Sequence, residues 1–309
     1  MKLSASRDVL LKPLQAVIGV VERRQTMPIL SNVLLVAKEG ELAVTATDLE
    51  VELVAQAGVD VQAGGEITVS GRKLLDICRA LPDGANIDVS VSGEKLHVRS
   101  GRSKFTLATL PAAEFPSVED IKASQTITVT QEVLGRLIEK THFSMAQQDV
   151  RYYLNGMLLE TGGPHIRSVA TDGHRLALCQ AELEGMDLDE QQVIVPRKGV
   201  LELQRLLTGE GAVDVVLGAN HVRIQLDGIR FTSKLIDGRF PEYDRVIPRD
   251  SSNELQADSG VLRGGLQRTA ILSNEKYRGI RLIIRDNAVV LQAHNPEQEE
   301  AEEELEVAY

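Results

Sequence analysis

Motifs recur along this chain at a spacing of about 124 residues. A repeat of that length restricts the fold to several similar domains in tandem. Asn32-Val33-Leu34-Leu35 is echoed by Asn155-Gly156-Met157-Leu158-Leu159, and Thr45-Ala46-Thr47-Asp48 by Val169-Ala170-Thr171-Asp172. Gly71-Arg72-Lys73 is matched by Pro196-Arg197-Lys198, Phe105-Thr106 by Phe231-Thr232, and Phe115-Pro116 by Phe240-Pro241. The offsets lie between 123 and 126. A third copy opens near residue 248, where Arg278-Gly279-Ile280-Arg281-Leu282 and Gln292-Ala293-His294-Asn295 take the places of 154–158 and 169–172. A complete third copy would need roughly 60 more residues at the same spacing. Two and a half repeats are therefore expected, divided as 1–122, 123–247 and a partial 248–309.

Within each copy an amphipathic helical pattern precedes short alternating strands broken by Gly, Asp and Asn turns. Helices are expected at Asp8–Val21, Gly71–Leu81, Thr130–Ser144, Pro196–Leu207 and Asp258–Ser273. In the second of these, Leu74, Leu75, Ile77, Cys78 and Leu81 fall on one side at helical spacing. Strands are expected at Leu42–Thr47, Glu66–Val69, Asn86–Val91, Lys95–Val98 and Lys104–Leu110, with counterparts in the later copies. The fold class is α+β: two helices per complete repeat, packed on antiparallel sheets with hairpin-like turns.

Composition narrows the function. No run approaches the roughly 20 apolar residues that span a bilayer, and the charged start Met1–Asp8 lacks a signal-peptide core. Cys78 and Cys179 alone cannot supply a disulfide framework or a zinc site. A cytoplasmic location is expected. The net charge of −11 argues against a phosphate backbone as partner, and 3% aromatic residues without Trp argue against a single-strand binder. The distribution reverses the first objection. The five helical spans hold eleven basic against six acidic side chains, while the rest holds 23 against 39. Helices arranged around an axis would line a positive channel within a negative body, giving weak, sequence-blind phosphate contacts.

Asp149-Val150-Arg151-Tyr152-Tyr153-Leu154-Asn155-Gly156, Ala170-Thr171-Asp172-Gly173-His174-Arg175-Leu176, Val195-Pro196-Arg197-Lys198-Gly199 and Asp237-Gly238-Arg239-Phe240-Pro241 resemble the bacterial DNA polymerase sliding clamp family. So do Ile271-Leu272-Ser273-Asn274-Glu275-Lys276 and Asn295-Pro296-Glu297-Gln298-Glu299-Glu300-Ala301, so that the resemblance runs from Met1 to Tyr309. It implies the DNA-clamp fold and a head-to-tail homodimeric ring around duplex DNA. The ring is loaded by an ATP-driven clamp loader and tethers replicative and repair polymerases. No cofactor and no metal are implied. The family pattern continues through the second half of the third domain to a short apolar-basic tail, which this sequence does not contain.

The resemblance also places site residues. Leu154, Thr171, Gly173, His174, Arg175, Leu176, Pro241, Arg245 and Val246 match a groove that receives short apolar peptides. Arg24, Gln148, Tyr152 and Tyr153 match DNA contacts. Arg72, Lys73, Arg79, Arg197 and Lys198 are added from the charge of the helices. Tyr152 and Tyr153 are expected in a strand, pointing to opposite faces. For the ring interface, the basic Arg99, Arg102 and Lys104 flank Phe105 and Leu107. They would meet Ile271, Leu272 and the acidic run containing Glu297, Glu299, Glu300, Glu302, Glu303, Glu304 and Glu306 in a second copy. There, charges would set register and apolar contacts affinity.

Two other readings compete. A hydrolase would use Asp172 and His174, but a lone Asp-x-His pair lacks further ligands or a nucleophile, and the first repeat has Asp48-Leu49-Glu50 there, as at a strand-end turn. A peptide-binding scaffold that never meets DNA is disfavoured by the basic helices. No catalysis is expected.

Overall fold

The structure, a computed structural model, describes residues 1–21, 27–116, 118, 121–207 and 209–309. Among them are five α-helices: α1 (Arg7–Val17), α2 (Gly71–Ala80), α3 (Gln131–Glu139), α4 (Arg197–Leu206) and α5 (Ser259–Thr269). The helices are shorter than the apolar pattern suggests. The pattern that reached Ser144 breaks after α3 into a separate 3-10 turn, His142–Ser144. Thr130 ends a strand and starts α3, its Oγ1 accepting the N–H of Val133 at 3.2 Å. Asp258 caps α5 in the same way through Val261 at 2.8 Å. Such caps satisfy the first orphan N–H groups of a helix. No helix among the described residues is long and apolar enough to cross a membrane.

The chain forms two compact units, Met1–Phe240 and Pro241–Tyr309. The first holds the first repeat and the second as far as Phe240, and 241–247, expected at the end of the second repeat, fall in the second unit. Equivalent strands pair in equivalent registers: Leu34 faces Thr45 as Leu158 faces Val169. Likewise Val89 faces Val98 as Val215 faces Ile224, and Val98 faces Phe105 as Ile224 faces Phe231. Ser4 Oγ donates to Asp88 at 2.7 Å, and Thr128 Oγ1 donates to Asp214 at 2.7 Å, across matching strand pairs. In each repeat the two helices pack together, α1 on α2 and α3 on α4.

What fuses the two repeats is a strand seam. The strand Ile229–Lys234 of the second repeat adds antiparallel to Val51–Gly58 of the first, Phe231 opposite Leu53. This closes a continuous sheet of 13 strands, beside a separate sheet of four. Phe231 and Leu53 are fully buried in a core that runs through both repeats. Arg205 ties the helical layer across the same junction, donating to the carbonyls of Gln15 at 3.2 Å and Ala16 at 2.5 Å at the end of α1.

The second unit is a three-stranded antiparallel sheet, Arg281–Arg285, Ala288–His294 and Glu300–Glu306. Helix α5 covers it over a small core of Val289, Leu291, Leu305 and Val307.

Two glycines separate packing from propensity. A Cβ on Gly156 would lie 2.6 Å from the Val195 carbonyl oxygen and 2.8 Å from an Ile194 methyl. Gly135 in α3 has open space around it. Gly156→Ala should cost about 1–3 kcal/mol through overpacking, and Gly135→Ala should add about 0.5–1 kcal/mol of helix stability. Denaturant unfolding of the two variants checks the opposite signs.

Candidate nucleic-acid and peptide interface

A Thr-Asp turn ends one strand in each complete repeat, and the two turns agree atom for atom. Thr47 Oγ1 donates to the Val51 carbonyl at 2.9 Å, as Thr171 Oγ1 does to the Arg175 carbonyl at 2.7 Å. Each hydroxyl also accepts an N–H from two residues on, Leu49 or Gly173, at 3.1 Å. Asp48 Oδ1 takes the N–H groups of Glu50 and Val51 at 2.9 and 2.7 Å. Asp172 Oδ1 takes those of His174 and Arg175 at 2.9 and 3.0 Å. The residue after each aspartate is left-handed, Leu49 at φ 77° and Gly173 at φ 87°.

The second carboxylate oxygens diverge. Asp48 Oδ2 pairs with Lys198 of α4, across the junction between repeats. Asp172 Oδ2 pairs with Arg175 Nε at 3.1 Å. Burial pushes the Asp172 carboxyl up, but the N–H groups of His174 and Arg175 and the Arg175 guanidinium outweigh it and leave it below the usual carboxylate range. Both oxygens of Asp172 are thus engaged in holding the turn. Among the described residues no group of three or more His, Cys, Asp or Glu is placed to hold a metal ion.

Around this turn the groove residues of the first unit gather. Leu154 is buried, Thr171 and Leu176 are half-buried, and Gly173, His174 and Arg175 are exposed. Arg175 reaches back to donate to the Phe143 carbonyl at 2.5 Å, with its guanidinium 5.8 Å from the Phe143 ring centre. Phe143 is 49% exposed and adds an apolar wall that the sequence pattern did not single out. Pro241, Arg245 and Val246 belong to the second unit. There Arg245 pairs with Glu242 at 2.6 Å, and Val246 is 69% exposed.

The loop before Leu154 carries the expected DNA contacts. Tyr152 and Tyr153 are not in a strand: they form a 3-10 turn, Tyr152–Leu154, and their rings meet edge to face at 5.8 Å. A strand would have sent them to opposite faces; the turn keeps them together, because the chain must reverse direction before the strand Gly156–Gly163. Tyr152 is 58% exposed. Gln148 sits at φ 58°. With Arg197 and Lys198 it lines an open depression that also includes Gln147, Asn155 and Leu201, and two carboxylates, Glu50 and Glu202. Arg24 lies outside the described residues.

The basic residues of the helices divide into two groups. Lys73 and Arg79 of α2 are exposed. Arg72 instead donates to the Val21 carbonyl at 2.7 Å, and Arg197 to the Met145 carbonyl at 3.4 Å. Backbone carbonyls thus take up part of the positive charge of the helices.

Of the residues at the expected interface between copies, Arg102 and Lys104 are exposed, and Phe105 and Leu107 are half-buried on the strand Ser103–Leu110. In the second unit Ile271 is 77% exposed and Leu272 half-buried. Glu300 is exposed on its strand, whereas Glu303 is already paired with Arg268 of α5.

The structure adds one pair that the sequence reading left unassigned, Asp149 and Arg151. Arg151 donates from Nε and Nη2 to the two oxygens of Asp149, both at 2.9 Å, and from its backbone N–H to Oδ1 at 2.8 Å. These bonds, from the guanidinium first and the backbone second, hold the Asp149 carboxyl down at about 2. A depressed carboxylate stabilises its folded surroundings above its unfolded pKa and stops doing so as pH falls through the folded one. The loop should therefore keep this tie until about pH 2, and Arg151→Ala, which removes the guanidinium but keeps the backbone N–H, should raise Asp149 toward the ordinary range near pH 4. Carboxyl carbon shifts followed by NMR through an acid titration measure both.

Family models match nearly the whole chain. The N-terminal, central and C-terminal domains of the DNA polymerase III beta subunit match residues 1–119, 128–242 and 244–309. The beta sliding clamp of Pseudomonas aeruginosa is 56% identical, covering 100% of this chain and 85% of that protein. The beta sliding clamp of Escherichia coli K12 is 52% identical over the same shares, 100% and 85%. A crystal structure of the Pseudomonas aeruginosa DNA polymerase III subunit beta superposes with a TM-score of 0.97 at 56% identity, covering 100% of this chain and 85% of that one. The Caulobacter crescentus pol III beta structure gives 0.93 at 40% identity, with 100% and 85% covered. With tandem repeats of clamp architecture from end to end, the chain belongs to the DNA polymerase III beta subunit family, the sliding clamps that act as processivity factors of the replicative DNA polymerase.

Proposed function

We propose that this chain closes a head-to-tail homodimeric ring around duplex DNA in the cytoplasm, without catalytic activity of its own. In this reading a clamp loader opens the ring, and polymerases and repair proteins dock short apolar peptides at the turn around Gly173. The repeats 1–122, 123–247 and 248–309 are its successive segments. Gln148, Tyr152 and Tyr153, with Arg24, Lys73 and Arg79, contact phosphates weakly and without regard to sequence, and Arg197 and Lys198, which also serve the Met145 carbonyl and Asp48, add to the field beside them. Arg72 contributes to the field more than to contact, since its guanidinium serves the Val21 carbonyl.

One observation carries the ring: the seam inside the first unit is a template for a seam between copies. The strand Ser103–Leu110 matches Ile229–Lys234, and among the described residues it pairs on its second side only at Thr109 and Leu110. The strand Glu300–Glu306 matches Val51–Gly58 and is an edge of its sheet. The internal register, Arg230 opposite Val54 and Phe231 opposite Leu53, transfers directly. Phe105 then faces Ala301 of the partner, Lys104 faces Glu302, Thr106 faces Glu300 and Ser103 faces Glu303. Arg102, one step beyond, meets Glu304. Ile271 and Leu272 supply apolar contact, and Glu303 keeps Arg268.

Retention on DNA is then topological. A complex assembled by a clamp loader on nicked circular DNA should dissociate when the circle is cut, as followed by co-elution. A complex that survives linearisation at moderate salt without end blocks would mean that ordinary affinity holds the DNA. Ile271→Ala with Leu272→Ala should turn dimers into monomers and abolish retention on the circle.

The register has its own test. An opposite-charge cross-strand pair contributes about 0.2–1 kcal/mol and the ring holds it at both of its interfaces, so reversing one partner should weaken the dimer by about a hundredfold at most. Lys104→Glu should raise the dimer dissociation constant in sedimentation, and adding Glu302→Lys should restore it. Rescue by Glu300→Lys instead would place the strands two residues out of this register.

A further inference from the structure

The two Thr-Asp turns act as internal controls for each other. Both need a left-handed residue after the aspartate, and the first repeat fills that position with Leu49. Left-handed φ alone therefore does not require the glycine at 173. Arg151 adds a second constraint: a Cβ on Gly173 would lie 3.0 Å from both terminal guanidinium nitrogens and would push the fork aside. Arg151 Nη2 also donates to the Asp172 carbonyl at 3.3 Å. At the equivalent position, four residues before the matching asparagine, the first repeat carries Pro28, which has no such side chain.

The same guanidinium is clasped by Asp149 within the loop. Asn155 closes that loop from the other end, accepting the Asp149 N–H and donating to the Asp149 carbonyl, both at 2.9 Å. Leu154 donates to the Arg151 carbonyl at 2.9 Å, which fixes the 3-10 turn that carries Tyr152 and Tyr153. One planar fork thus holds the Gln148–Leu154 loop and rests on the Asp172–Arg175 turn. We propose that Arg151 is a positioning residue that couples the two, so that a peptide seated at the turn and DNA at the loop change each other's affinity. This rests on the assignment of loop and turn made above. By linkage the effect is reciprocal.

The test measures the coupling apart from either binding event. Anisotropy of a labelled peptide carrying Gln, Leu and a terminal Leu-Phe gives its Kd on the full chain, with and without a saturating short duplex. In the native protein the two values should differ by about fivefold or more. Arg151→Ala should bring their ratio to one. Arg151→Lys should do the same, because an ammonium keeps the charge but not the fork. Gly173→Leu imports the residue that the first repeat tolerates, and should likewise uncouple the sites. A native ratio of one, or a ratio unchanged in Arg151→Ala, overturns the proposal.

A second readout needs no ligand. Gly173→Leu should speed hydrogen exchange of the amides at Asp149, Arg151 and Leu154, more than 15 residues away in sequence. Unchanged exchange there also overturns the proposal. If neither peptide nor duplex binds, the site assignment falls and the coupling of affinities with it. Faster exchange would then still show that the clasp joins the loop to the turn.

Discussion

The ladder between Ile229–Ser233 and Val51–Ala55 is the interaction on which the rest of the structure depends. It turns two repeats into one body with one core, and it fixes how the second repeat follows the first. Phe231 at its centre is fully buried, and truncating such a side chain costs about 3–5 kcal/mol. Exposed ion pairs contribute about 0–1 kcal/mol, so the apolar ladder sets the strength of a seam and charge sets its register. A strand edge left without a neighbour in a soluble protein invites pairing with another chain. Here two such edges carry opposite charge, Arg102 and Lys104 on one and the glutamates of 300–306 on the other. A repeat that joins itself once by edge pairing has, in its two remaining edges, what it needs to join a second copy.

The same duplication shapes where positive charge lies in a protein of net charge −11. Lys198 crosses the junction to Asp48, and Arg205 crosses it to the end of α1. Positive charge near the helices thus does two jobs, tying neighbouring repeats together and leaving Lys73 and Arg79 free in solvent. Fewer free cations mean weaker phosphate contacts, which fits the sliding proposed above.

At these two turns the repeats diverge in side chains and not in backbone. The Thr47-Asp48 and Thr171-Asp172 turns share every backbone bond, yet one presents Leu49 and Glu50 and the other Gly173 and His174. In the first, the carboxylate serves a junction between repeats. In the second, it holds Arg175 over Phe143, beside Leu154 and Leu176. Identical scaffolding with different side chains is how one turn became a joint and the other a surface.

The spacing of Asn32 and Asn155, of Asp48 and Asp172, and of Phe105 and Phe231 was enough to establish tandem α+β repeats, because register along paired strands preserves such offsets almost unchanged. Long ordered motifs were enough to point to the family. What the sequence could not determine was where side chains end up once distant segments meet. Tyr152 and Tyr153 read as alternating strand residues, but the need to reverse the chain before Gly156 places them in a turn. Arg72 and Arg197 read as free positive charge, but the ends of neighbouring segments offer them carbonyls. Glu303 read only as an interface charge, and α5 brings Arg268 to it as well. Asp149 and Arg151 lay within a quoted motif without a role, since the further acceptor of Arg151, the Asp172 carbonyl, is some 20 residues along the chain. Local pattern determines elements and their order; the partners of long polar side chains are decided only by tertiary packing, because a guanidinium reaches whichever acceptor the fold carries to it.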